Sequence, residues 1–240
     1  MAETRLQRSH RARLDRIRQR TLALVVGSDT ASVDRFVATV VPLVLAAQEQ
    51  TVAATDAYLS IEAGLATSSS TEPWGIDASQ LIGAAARRGD WLEDVYARNH
   101  RAAASTFEQR MAREVNTDIT LADRAASYVH TEGDERITGY RRVLSSGKNC
   151  GLCAAAATRR YSKGDLNPIH SHCKCGVQPL YQPVDNWVKP DKAQLNALYQ
   201  RAGGTDYASL RRIQVAESHL PDVAGGGSTL GPPLLAAWGL

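Results

Sequence analysis

The sequence predicts a mainly α protein: an N-terminal helical array, then a small α+β module built on a cysteine knuckle, then a flexible C-terminal tail. Three observations predict it. Apolar residues recur at three- and four-residue steps through the first 130 residues. Only 6% of the chain is aromatic and just two residues are Phe, so the core must be mostly Ala, Val and Leu, which suits helix packing. All four cysteines fall in one 26-residue stretch, Cys150 to Cys175, and the other 214 residues have none.

Residues 4–25 read as a helix whose stripe is Leu6, His10, Leu14, Ile17 and Thr21 or Leu22. Gly27 ends it, and Ser28, Asp29 or Thr30 can cap the next. Residues 31–65 are again helical in pattern (Val33, Phe36 or Val37, Val40, Val44, Ala47), with Pro42 expected to kink or split the segment. A polar break follows over 67–75. Asp77 or Ser79 then caps a short helix over 80–87, and Gly89 and Asp90 punctuate it. Residues 91–118 read as one longer helix, with another starting at Asp118 or Thr120 and running to about Tyr128.

After Gly133 the texture changes. Residues 137–144 carry β-branched and aromatic side chains and suit a strand, and 145–147 turn. A short helix is expected over 154–160, a loop over 161–168, and a returning strand over 175–181 that can pair with 137–144. Residues 190–202 and 206–218 read as helical, and the Gly/Pro-rich stretch 221–240 as a flexible tail. The domain reading is therefore 1–130 helical with a basic first helix, 131–185 the cysteine module, and 186–240 a helical segment with the tail.

The cysteine spacing is specific. Cys150 and Cys153 form a C-x2-C bite, in which a tight turn aims both thiolates at one metal. His170 and Cys173 repeat that spacing, and Cys175 is a fifth candidate through Cys173-Lys-Cys175. Soft N/S donors in two knuckles point to a structural zinc ion, which four protein ligands close. His172 reads as a neighbour of the ligand run. Disulfides in any of three pairings, redox use, free buried thiols and a catalytic metal are the competing readings. The charged stretch 1–20 contains no apolar h-region of the kind a secretory signal carries, which speaks against the disulfides.

Charge is unevenly placed. Residues 1–20 hold Arg5, Arg8, Arg11, Arg13, Arg16, Arg18 and Arg20 against Glu3 and Asp15, a local +5, so the other 220 residues sum to −2. These seven arginines are candidate contacts to nucleic acid or to an acidic partner, weighed against a solvated basic face. All five lysines lie between 148 and 192, around the cysteine module. Arg141 with Arg142 and Arg159 with Arg160 flank that module and read as solvated surface or phosphate contacts. The longest weakly polar run, 37–47, falls short of the roughly 20 residues of a bilayer span, so no membrane span is expected.

The segment from about Arg136 to Leu180 resembles the MuF-like minor head protein family of tailed bacteriophages, in particular its forms in phages of actinobacteria. The likeness rests on Gly139-Tyr-Arg-Arg-Val-Leu144, Cys150-Gly-Leu-Cys153, Tyr161-Ser-Lys-Gly-Asp-Leu166, Pro168-Ile-His170, Cys173-Lys-Cys175 and Pro179. An arginine-rich, lysine-poor, alanine-rich chain suits such a high-GC host. The resemblance implies a low-copy minor capsid or head morphogenesis protein with a zinc-binding module. Such a protein is portal-associated, lies in the virion head, and is made in the host cytoplasm during assembly. Its implied partners are portal, scaffold or major capsid protein and packaged DNA. In the family pattern the matching histidine is His170, with His172 outside it.

The alternative is an enzyme of the same phage, a metal-dependent nuclease or a capsid maturation protease. A nuclease needs an open metal position, which four or five ligand candidates would fill. A serine protease needs a nucleophile and base in contact, and the sequence offers only Ser69 with His100 or His130, without a Gly-x-Ser-x-Gly elbow.

Overall fold

The structure, a computed structural model, describes residues 4–29, 31–78, 87, 89–103, 105–144, 148–158, 160–163, 175–181 and 192–216. The chain forms two compact units: Arg5–Asp134, and Glu135–Leu240 together with Met1–Thr4.

The first unit is a helical bundle. Helix α1 (Arg5–Gly27) buries Gln7, Leu14, Thr21 and Val25, so the stripe runs close to the predicted one, with Gln7 taking the place of Leu6. Helix α2 (Val33–Thr67) runs unbroken through Pro42, whose missing N–H costs one backbone bond without dividing the helix. Its cap is Ser32, whose side chain accepts from the Arg35 N–H, and not the 28–30 stretch. The helix stops at Ser68, which takes the left-handed conformation with φ 54°.

The single helix expected over 91–118 is two. Helix α3 (Asp90–Arg101) ends, and α4 (Phe107–Gly133) begins on a capping box in which Thr106 and Gln109 satisfy each other's backbone N–H groups. The buried Arg110 secures the break by donating to the carbonyls of Asn99, His100 and Ser105. No helix starts at Asp118 or Thr120; both lie inside α4, which continues past Tyr128. The short helix expected over 80–87 lies outside the described residues, apart from Arg87.

Side-chain pairings give the helix directions. On α2, Val40 and Val44 share a core cluster with Met111, Val115 and Ile119 of α4, and further along both helices Asp56 meets His130. The two helices are therefore parallel. Helix α1 runs antiparallel to them, with His10 near Tyr58 and Asp123, and Val25 packed with Phe36. Helix α3 is also antiparallel, bringing His100 onto Phe36. By length and composition α2 is the one described helix apolar enough to cross a bilayer. Its packing is that of a core helix: Phe36, Val40, Val44, Leu59 and Ala63 are fully buried, and Gln48, Thr55 and Asp56 bond to groups elsewhere in the bundle.

The second unit is α+β. Strand β1 (Gly139–Val143) is central in a three-stranded antiparallel sheet, between β3 (Arg160–Tyr161) and β4 (Gly176–Leu180). The register Arg141↔Gln178 makes the pairing of 137–144 with 175–181 that the sequence predicts. Gly139 admits no side chain, because a Cβ there would meet the Tyr161 carbonyl oxygen at 2.5 Å. Tyr140 and Tyr161 stack beside this close approach, with ring centroids 5.0 Å apart.

Strand β2 (Lys148–Cys150) leads into helix α5 (Gly151–Ala157), which starts at the knuckle, three residues before the predicted 154. Helices α6 (Lys192–Ala202) and α7 (Tyr207–Arg212) follow, and then the chain departs from the helix predicted through 218. It forms strand β5 (Gln214–Ala216), antiparallel to β2 with Cys150 opposite Gln214. Leu198, Leu210 and Val215 bury themselves against Ala154, so this last segment covers the knuckle helix. Gly151 makes that possible, since a Cβ would meet the Leu210 carbonyl oxygen at 2.5 Å. The turn at 145–147, the loop at 164–168 and the tail at 221–240 lie outside the described residues.

Candidate functional site

Three of the five predicted ligands are described. Cys150 is the N-cap of α5, and its sulfur accepts from the Cys153 N–H at 3.5 Å. The one-turn offset sets the Cys150 and Cys153 sulfurs 3.3 Å apart. A disulfide would need about 2.0 Å, and the three cysteines are free thiols. Two thiolates on one tetrahedral zinc, each at about 2.3 Å, stand roughly 3.8 Å apart, about half an ångström more than this pair. Cys175, at the entry to β4, is buried in the same cluster as Cys153 and Leu144, with Cys150 and Ala157 against it. Sequence spacing left Cys175 as the extra candidate; the fold buries it in the same small cluster as Cys153.

Among the described residues no three His, Cys, Asp or Glu side chains are gathered as a metal-holding group. His170 and Cys173, the other two predicted ligands, lie outside those residues, as does His172.

Arg142 corrects a sequence expectation. It is not a solvated surface residue but 4% exposed, with its guanidinium over the Tyr140 ring at 5.6 Å and Nη1 4.0 Å from the Cys175 sulfur. Strand alternation sends Arg141 the other way, where it donates to Gln178 at 2.7 Å. Arg160 is half-buried in β3, and Arg159 lies outside the described residues.

The bundle holds polar clusters that periodicity alone missed. Asp118, fully buried in α4, accepts from Arg87 Nε at 2.7 Å and from the Tyr96 hydroxyl at 2.9 Å. Arg87 also reaches Glu114 at 2.6 Å. Burial pushes the Asp118 carboxyl up to about 6, outweighing the Arg87 charge and the two bonds that favour ionisation. Burial opposes the Arg87 cation, but Asp118 and Glu114 more than offset it and hold its pKa above the ordinary value. Burial, reinforced by the Asp118 charge, raises the Tyr96 phenol well above its usual range.

Asp56 makes a second cluster. Its carboxylate accepts from the Gly75 and Ile76 N–H groups and meets His130 Nδ1 at 3.0 Å, while Trp74 stacks on the His130 ring. In a third, Asp123 takes bonds from Thr55 and His10, with His10 stacked on Tyr58. Burial alone would raise Asp123; the His10 and Thr55 bonds and the Arg18 charge hold it below the ordinary value. One signal did mark these groups in the sequence: Asp56, Asp118 and Asp123 sit among the apolar positions of helical stripes. His100 packs on Phe36 near the start of α2 and His130 meets Asp56 near its end, so the two histidines considered for Ser69 stand at opposite ends of the bundle.

Asp118 gives the bundle a pH dependence. Its folded pKa of about 6 exceeds the ordinary 3.8, so between those values the folded state binds the extra proton. This contribution is fully present below the lower value and is lost as pH rises through the upper one, at most about 3 kcal/mol. Denaturant midpoints are therefore expected to be higher at pH 5 than at pH 7.5, and Asp118→Asn to flatten the difference. Asp123 acts in the opposite sense only at more acid pH, because its folded pKa is depressed.

A family model described as VG15 protein matches residues 2–202. The chain belongs to the VG15 protein family. VG15 proteins are phage proteins, so a bacteriophage origin follows. The VG15 match takes in the whole helical bundle, the cysteine module and α6, and stops before α7 and β5. No curated protein and no solved structure matches this VG15 chain.

Proposed function

We propose that the protein is a minor capsid or head morphogenesis component of the MuF-like type, acting at the portal vertex or inside the head during assembly and DNA packaging. The observation that carries this reading is the order of parts in the second unit. A strand, a C-x2-C turn capping a short helix, an excursion containing His170 and Cys173, and a return through Cys175 into a paired strand follow the MuF-like pattern. A phage protein family is the expected setting for it. Cys150, Cys153, Cys175, His170 and Cys173 are the zinc ligand candidates. The ion would tie α5 to the entry of β4 and so hold a unit with little apolar core. The helical bundle would supply the surface for portal, scaffold or major capsid protein. The role is structural, and its places are the host cytoplasm during assembly and the virion head afterwards.

Mass spectrometry of gradient-purified heads from the encoding phage tests this. The protein is expected at low copy in heads, and deletion of its gene is expected to leave head assembly or packaging defective. Normal particles from the deletion, with no protein in wild-type heads, would remove the proposal.

A further inference from the structure

The seven arginines of α1 are not equivalent once the helix is folded. Arg18 is occupied, with Asp15 at 2.6 Å and Thr120 at 3.4 Å. Arg8 and Arg11 have partners of their own. Arg5, Arg13, Arg16 and Arg20 are all exposed and make no hydrogen bond or ion pair among the described residues. At about 100° per residue these four fall on one arc of roughly 80°, turned away from the face carrying Leu14 and Thr21. They are spread over about 22 Å of helix axis. The fold has sorted a generally basic segment into a ladder of four outward cations.

The residues sharing the arc choose between kinds of acidic partner. Ser9 and Ala23, both exposed, share this arc with the arginines, and no carboxylate does. A protein interface gains most of its energy from buried aromatic or aliphatic anchors, and the ladder offers none. Small neighbours and repeated guanidinium groups suit instead a regularly charged backbone, which arginine engages through its fork of donors. Over the ladder's length a DNA duplex presents about 13 phosphates on its two strands, enough to face four cations.

We propose that Arg5, Arg13, Arg16 and Arg20 bind the sugar–phosphate backbone of a nucleic acid without reading its sequence. This goes beyond the head-assembly role and does not depend on it. Nor does it depend on the zinc ligands, because the ladder lies wholly on α1.

The test is fluorescence anisotropy of the full chain with a labelled 20-base-pair DNA duplex, the matching single strand, and poly-glutamate, across a salt series. The variant Arg13→Gln/Arg16→Gln/Arg20→Gln removes three rungs. The control Arg35→Gln/Arg98→Gln/Arg101→Gln removes the same charge from exposed positions elsewhere in the bundle. Gln keeps helix propensity close to that of Arg, so thermal melting should match wild type for both. The ladder variant is expected to bind at least about tenfold more weakly, and its slope of log affinity against log salt to shrink by about 2.7 for duplex, at 0.9 per lost phosphate contact. The control is expected to bind as wild type does. Binding of the single strand in preference to duplex, with the slope shrinking by about 2.1, would support the ladder and assign single-stranded nucleic acid as its ligand. Equal losses in both variants would overturn the proposal, as would no binding at low salt or poly-glutamate binding as tightly as DNA.

Discussion

A strong chelator, by removing the proposed zinc ion, is expected to unfold the second unit while the bundle keeps its helicity. The second unit packs around small clusters: Ala154 with Leu198, Leu210 and Val215, Leu144 with Cys153 and Cys175, and Tyr140 with Val177. Units of this size commonly need a staple. A structural zinc contributes about 10–16 kcal/mol in small metal modules, more than such a core retains by itself. Limited proteolysis should therefore cut after β1 only in the chelated protein, and near-ultraviolet circular dichroism should lose the signal of stacked Tyr140 and Tyr161. Cys150→Ser, which removes a candidate ligand thiol while keeping a side-chain N-cap for α5, should reproduce this without chelator. Elemental analysis giving no zinc in the purified protein, with proteolysis unchanged by chelator, would rule out the ion.

Arg87→Ala is expected to be among the most damaging single changes in the bundle, at about 3–5 kcal/mol. It would leave the Asp118 carboxylate, fully buried, without its cation, and Glu114, 15% exposed, without its partner. Arg87 also gives its own carbonyl to the buried Gln48 amide, a backbone bond that Ala would keep, so the loss reads the side chain alone. Urea denaturation should show the loss, largest near neutral pH and smaller at pH 5, where Asp118 is protonated. A ΔΔG under about 1 kcal/mol would mean that water reaches Asp118 and that the cluster is not dry.

Much of the architecture was legible in the sequence because period and composition agreed. The stripe Phe36, Val40, Val44, Ala47 is the buried face of α2, and the alternation around Tyr140 marks β1. Reading failed where strong local preference pointed the wrong way. Ala102 and Ala103 favour helix, yet α3 ends before them, because Arg110 bonds to carbonyls on both sides of the break and Thr106 with Gln109 restarts the chain. Strand β5 is three residues long, too short for alternation to show after a helix, and only its pairing with β2 defines it. Of the candidate site, spacing singled out the cysteines, but the burial of Cys175 in one cluster with Cys153 follows from β4 pairing with β1, which spacing does not show. The division of the arginines was equally hidden, since it depends on which side of α1 the other helices cover.

The parallel arrangement of α2 and α4 bears on how the chain is made. Neighbours along a chain pack antiparallel by a simple turn; here the main partner of α2 arrives only after α3 has crossed back. His10 waits 113 residues for Asp123, and Asp56 waits 74 for His130. On a ribosome adding about 5–20 residues per second, Asp56 and the α2 face that meets α4 wait several seconds for their partners. Helices α1 and α2 can pack as they emerge, but the core around Met111, Val115 and Ile119 closes only once α4 is made.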